Sequence, residues 1–212
     1  MTDPGPVLAI VLAAGESRRM GREKPLLPLG PDARERFLER VTSEAVAAGC
    51  ARVLVVLGPH NVETVRRACG LDGQPHVEVV LNPDPARGML SSIRVGVAAA
   101  ERAGAAAALV WPADHPFARA SAVHALLAAW RAREPRPAVA LPVHGGRRGH
   151  PVLFARATFR DLAAAPSAEG ARAVVHARAA KGEVLEVSVE DAGVLADVDT
   201  PEDYERFAGA AP

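Results

Sequence analysis

The chain has 212 residues, 49% of them hydrophobic, and its 25 basic and 25 acidic residues leave a formal net charge of zero. That length and apolar content suit one domain with a sizeable core. The balanced charge, with no block of one sign, excludes a nucleic-acid or membrane-surface partner held mainly by electrostatics.

Val7 to Leu12 is an apolar run rich in β-branched residues and predicts a buried strand. Ala13, Ala14 and Gly15 follow with almost no side chain, so the backbone there can approach a ligand closely. Ser17, Arg18, Arg19 and Lys24 then add a hydroxyl and cations within one short segment. A strand, a small-residue loop and then cations is a way to hold phosphate, with N–H groups pointing inward and charge neutralising oxygens. The spacing is neither GxxxxGK[ST] nor GxGxxG. The plain alternative is a tight turn followed by a solvated basic segment, with Lys24 an exposed cation.

Pro28 to Arg36 reads as a loop. Phe37, Val41, Ala45 and Ala48 recur at helical spacing over 33–48, and Gly49 ends that helix. A second buried strand is predicted over Arg52–Leu57, a helix over Asn61–Ala68 and a third strand over Val77–Leu81. A loop follows from Asn82 to Gly88, then a helix from Met89 to Ala103. A fourth strand, Ala106–Trp111, is wholly apolar, as a central parallel strand should be. A helix over Ser121–Arg133 and a fifth strand over Ala138–Val143 complete five alternations of strand and helix. That order predicts a doubly wound α/β sheet.

The C-terminal third breaks the alternation. His144 to His150 is a Gly- and Arg-rich turn between two extended runs, read as a hairpin. Short helices are predicted over Arg156–Ala164 and Glu169–Arg178, then a strand over Val184–Val189. A last helix spans Pro201–Phe207, with Thr200 as N-cap and Pro201 in first position. Cys50 and Cys69 have neither metal spacing nor a CxxC pattern and read as core thiols of a reducing compartment. No charged-then-apolar stretch opens the sequence and no apolar run nears the length of a membrane span, so a cytoplasmic location is expected.

Ligands of open α/β sheets sit outside the carboxyl ends of the strands. The loops after the first, third and fourth strands therefore converge on one edge. Asp114, in PADHP, is a turn aspartate or a carboxylate placed to hold Mg²⁺ beside phosphate. His115 is expected to be a local hydrogen-bonding side chain. Asp197 and Asp199 flank Val198, and the two side chains are expected on opposite sides of an extended segment, Asp199 assisting the last helix cap. Asn82, Gly88, Ser91 and Ser92 lie where a nucleotide base or ribose could be met, or are ordinary first-turn residues. Arg147, Arg148 and His150 form a polar hairpin tip or meet an anionic second substrate. His60, His76, His124, His144 and His176 show no metal spacing.

The run LAAGxSxRMGxxK, from Leu12 to Lys24, resembles the signature of the molybdopterin-cofactor nucleotidyltransferases, most of all their cytidylyltransferase branch. NPDPARGMLSSI (82–93), PADHP (112–116), GHPVLF (149–154) and DVDTPEDY (197–204) also match, so the resemblance spans nearly the whole chain. It implies a single NTP transferase domain over 1–212, of three-layer Rossmann-like fold. A mostly parallel central sheet with a C-terminal β-hairpin and helix extension is the implied architecture. The implied reaction moves CMP from CTP to a small phosphorylated acceptor, molybdopterin, with Mg²⁺ as cofactor and pyrophosphate released. Leu12, Ala13, Ala14, Gly15, Arg19, Lys24, Asn82, Gly88 and Ser92 would then bind nucleotide. Arg19, Lys24 and Asp114 would carry catalysis, Asp114 and Asp197 would hold metal, and Arg148 and His150 would meet the acceptor. The implied partners are the nucleotide, the acceptor and, transiently, a molybdoenzyme or its chaperone. Guanylyl-transferring relatives read LAGG where this chain reads LAAG, which favours CTP. A guanylyl- or sugar-phosphate transferase of the same fold, and a non-catalytic nucleotide-binding module, remain as rival readings.

Overall fold

The run Val7–Leu12 is buried along its whole length and forms β1, at the middle of the sheet. The computed structural model describes residues 5–30 and 34–208. β1 pairs in parallel with β2 (Arg52–Leu57) and with β4 (Ala107–Pro112), and β2 pairs in parallel with β3 (Val77–Leu81). Beyond β4, β5 (Val139–His144) pairs in parallel with β8 (Val184–Ser188).

β4 and β5 do not pair with each other. The return arm of the hairpin, β6 (Arg147–Arg148) and β7 (Val152–Ala155), is antiparallel to β5, and β7 is also antiparallel to β4. The hairpin expected as a C-terminal extension is therefore inside the sheet. Its composition explains this: Leu153 is buried in the core on one face and Phe154 in the core on the other. A strand apolar on both sides needs cover on both faces.

The alternation along β1 separates the two cores. Val7, Ala9 and Val11 face α1 (Phe37–Ala47), α2 (Val62–Ala68) and α4 (Ala120–Arg131). Leu8, Ile10 and Leu12 face α3 (Met89–Arg102), α5 (Phe159–Ala164) and α6 (Ala171–Ala179). The result is the three-layer α/β architecture expected. α1 begins at Phe37; the earlier start at Ala33 lies outside the described residues. α7 (Pro201–Ala208) begins where the sequence places it. No helix among the described residues is long and apolar enough to cross a membrane.

Packing of α3 on the sheet depends on Gly96. A Cβ there would stand 2.4 Å from Ile10 Cγ2 and 3.3 Å from Val56 Cγ2. Gly96→Val is expected to lower the unfolding free energy by about 1–3 kcal/mol, the usual cost of overpacking. Urea denaturation reads this as an earlier midpoint; an unchanged midpoint would mean that α3 can draw back from β1.

Candidate active site

The segment after β1 is built to leave donors free. Ser17 has φ 51°, an uncommon backbone state for a residue with a side chain. Its carbonyl accepts from the N–H of Met20 and of Gly21, each at 3.0 Å, and its Oγ accepts from the N–H of Lys24 at 3.0 Å. The N–H groups of Gly15 through Arg19 have no acceptor among the described residues. Ala13 differs, because its N–H donates to Val56 O at 3.0 Å. Ala14 is buried in the second core and does not reach the cleft wall.

A cleft of about 860 Å³ opens over the carboxyl ends of β1 and β4. Leu12, Ala13, Gly15, Arg19, Lys24, Asp114, Arg148, His150 and Asp197 all line it. Asn82, Gly88 and Ser92 do not. Asn82 Nδ2 donates to Ser91 Oγ at 2.8 Å and to Ser92 Oγ at 3.0 Å, and its Oδ1 accepts from Asp84 N–H at 3.1 Å. These polar groups satisfy one another and fix the loop before α3.

From the first turns of α3 the cleft receives Met89, Leu90 and Ile93 instead. Val152 and Phe154 from β7 and Val175 from α6 extend this apolar wall, and Arg172 and His176 line its far end. Sequence reasoning missed these residues, since apolar side chains at helix and strand spacing read as core. Nothing in their spacing sets them apart from core residues, and the exposure of Met89 shows only in the structure. Arg148 reaches the cleft with its guanidinium already paired to Glu186 at 2.6 Å.

Lys24 is not an exposed cation. Its side chain is 13% exposed, and Nζ lies 3.1 Å from Asp114 Oδ2 and in contact with Asp199 Oδ1. Arg19 reaches Asp199 Oδ2 at 2.6 Å from the solvent side. Burial opposes the charge on Lys24, but Asp114 and Asp199 outweigh it and raise its pKa. Burial likewise opposes charge on Asp199, and Lys24 and Arg19 outweigh it and hold that carboxyl below its ordinary range.

Asp199 does not cap α7. Thr200 Oγ1 accepts from Asp203 N–H at 3.2 Å while Asp203 Oδ2 accepts from Thr200 N–H at 3.0 Å, a reciprocal cap. Asp197 and Asp199 both line the cleft rather than diverging, because residues two apart in an extended segment share a face. Partial desolvation, with the nearby charges of Asp114 and Asp199, pushes Asp197 up to about 6.

His115 and His150 stack with ring centroids 4.5 Å apart and planes tilted by 48°. The expected local hydrogen bond from His115 is not made at Nδ1, which is buried without a partner, as is Nδ1 of His150. Burial lowers the pKa of His115 more than the neighbouring aspartates raise it. Burial, His115 and Arg172 push His150 down to about 3. Both imidazoles are neutral at neutral pH. Ligating atoms of Asp114, His115 and Asp197 lie within 4.8 Å of one another. Two carboxylates beside an unpartnered neutral imidazole fit a divalent cation.

Lys24→Met would leave three carboxylates crowded together, and about 1–3 kcal/mol of stability is expected to be lost at neutral pH. Arg19→Ala, at an exposed pair, should cost less than about 1 kcal/mol. The contribution of Asp199 is fully present above its ordinary value of 3.8 and is lost as pH falls through its lowered value. That of Lys24 is fully present below 10.5 and is lost as pH rises through its raised value. The gap in urea stability between wild type and Lys24→Met should therefore stay level near neutral pH and close below about pH 4. A gap independent of pH would show that the loss is one of packing alone.

The MobA-like NTP transferase domain matches residues 9–183 of the chain. The molybdenum cofactor cytidylyltransferase of Escherichia coli is 27% identical over 195 residues, covering 92% of this chain and 92% of that protein. A "Probable molybdenum cofactor guanylyltransferase" of Mycobacterium tuberculosis is 34% identical over 166 residues, covering 76% of this chain and 72% of its own length. Among solved structures, a Mycobacterium tuberculosis protein crystallised in complex with manganese superposes with a TM-score of 0.73 at 27% identity, over 98% of this chain and 100% of that one. The free loop amides, the cations and the acid cluster thus sit in a fold already known for this chemistry, and the chain belongs to the MobA-like NTP transferase family and is a nucleotidyltransferase.

Proposed function

We propose that this single domain transfers CMP from CTP to the phosphate of a small acceptor, molybdopterin, with the help of a divalent cation, Mg²⁺ in the first instance. One observation carries the reading: free loop amides and Arg19 share a cleft with the Asp114–Asp197 pair, and that cleft has room for two substrates. An oxygen of the acceptor phosphate attacks the α-phosphorus, the bond from that phosphorus to the bridging oxygen breaks, and its electron pair leaves on pyrophosphate. Such transfer needs positioning and charge neutralisation more than covalent help from the protein.

The N–H groups of Gly15 to Arg19 bind the triphosphate oxygens, and Arg19 neutralises charge that gathers on the leaving pyrophosphate. Lys24 orients Asp114 through Oδ2 and adds positive charge on the phosphate side. Asp114 and Asp197 would hold the cation, which when bound offsets phosphate charge. The manganese complex of the mycobacterial relative supports a divalent ion in this fold. The apolar wall of Leu90, Ile93, Val152 and Phe154, beside His150, suits the acceptor's body. A delivery contact with a molybdoenzyme or its chaperone follows from the same reading.

CTP is favoured by Ala14 in the loop and by the cytidylyltransferase relative, whose match runs nearly end to end. The guanylyltransferase relative, at higher identity over a shorter span, favours GTP as the second reading. Transfer of α-labelled phosphate from CTP and from GTP to molybdopterin separates them. Turnover with CTP should exceed that with GTP, and the reverse order would overturn the base assignment. Asp114→Asn should fold normally and lose about 10²-fold or more in turnover. Wild-type activity in that variant would return Asp114 to the role of a turn residue.

A further inference from the structure

His115 is a polar side chain with no polar partner at Nδ1 among the described residues. It is 7% exposed, and that atom is buried and unpaired. Other contacts hold the residue in place. Trp111 Nε1 donates to the His115 carbonyl at 3.0 Å, the His115 N–H donates to Pro112 O at 3.1 Å, and the ring lies against His150. Backbone and ring face therefore fix the imidazole, and the fold takes no hydrogen bond from Nδ1. A ring nitrogen lies within 4.8 Å of carboxylate oxygens of both Asp114 and Asp197.

Donor atoms around one ion at about 2.0–2.3 Å are at most about 4.6 Å apart, so this spacing is close to what a shared ion imposes. Lys24 takes Oδ2 of Asp114, and Oδ1 of Asp114 has no partner among the described residues. Neighbouring residues of one rigid turn thus offer an oxygen and a nitrogen to the same point, and Asp197 offers a second oxygen.

We propose that His115 is a third protein ligand of the metal held by Asp114 and Asp197, and that this nitrogen shifts the preference of the site from Mg²⁺ toward Mn²⁺, Co²⁺ or Zn²⁺. The inference rests on reading the aspartate pair as the metal site. Mg²⁺ is a hard ion that takes oxygen ligands and keeps its waters, so it gains little from an imidazole. Later first-row ions accept imidazole readily, in the order of their general affinities.

The test uses the full-length protein and MnCl₂ alone, without nucleotide or acceptor. Electron paramagnetic resonance titration gives Mn²⁺ affinity, and electron spin-echo modulation reports a directly bound ¹⁴N. Wild type should show ¹⁴N modulation, and His115→Leu should lose it. The variant should bind Mn²⁺ about 10–100-fold more weakly, a loss at least as large as that seen when a partner orienting a metal ligand is removed, while Mg²⁺ affinity by competition stays close to wild type. Because the wild-type signal alone is decisive, poor folding of the variant would not rescue the idea. Mn²⁺ that is bound in wild type and lost in Asp114→Asn, yet shows no ¹⁴N coupling, overturns the role of His115 and leaves the aspartate site standing. Mn²⁺ binding indifferent to Asp114→Asn overturns both.

Discussion

The contact between Lys24 and the two aspartates, Asp114 and Asp199, is the constraint on which the site depends. It joins segments that are far apart in sequence: the loop after β1, the turn after β4 and the approach to α7. Three carboxylates crowded at one point repel one another, and without the ammonium between them the C-terminal segment would have an electrostatic reason to leave. The backbone reinforces the tie. Val198 N–H donates to Asp114 O at 3.0 Å, and the Val198 side chain is fully buried with Phe37 and Leu27. One apolar residue anchored between two aspartates delivers both to the cleft. Lys24 also supplies positive charge to the acid cluster and so offsets the mutual repulsion of its carboxylates.

The cleft has a charged side and an apolar side, and they come from different parts of the chain. The charged side is carried by the first strand's loop, the turn after β4 and the approach to α7. The apolar side is carried by α3, β7 and α6. The apolar side is not uniform, since Arg172 and His176 join it from α6. The histidine pair stands at the boundary, where burial keeps both rings neutral.

Much of this was legible in the sequence. The run from Val7 to Lys24 gave strand, loop and cations in order, because a buried strand and a small-residue loop leave a local pattern. The alternation of strand and helix carried the layer architecture for the same reason. What stayed hidden was set by distant parts of the chain. Nothing near Lys24 in sequence shows that Asp114 and Asp199 will surround it. Asn82 and Ser92 have the chemistry of ligand contacts, and only their mutual distance shows that each satisfies the other. His115 looked like a hydrogen-bonding turn residue, and its unpaired Nδ1 appears only once the surrounding atoms are placed. The insertion of β7 was hidden too, since a short apolar run after a turn fits an edge strand as well as a central one.

That insertion governs the order in which the sheet can be assembled. β5 follows β4 along the chain but has no partner on that side until Ala155 has been made, and β4 keeps an open, apolar edge until then. Open edges of that kind invite pairing with other chains. The turn between β5 and β6 offers a way through. Gly145 and Gly146 have φ of 56° and 77°, the left-handed pair that closes a two-residue hairpin. His144 then meets Arg147 directly, so β5 and β6 pair through local contacts alone. From there β7 runs on between β5 and β4 and pairs with both. The glycine pair thus turns the chain back at the one place from which β7 can cover the open edge of β4.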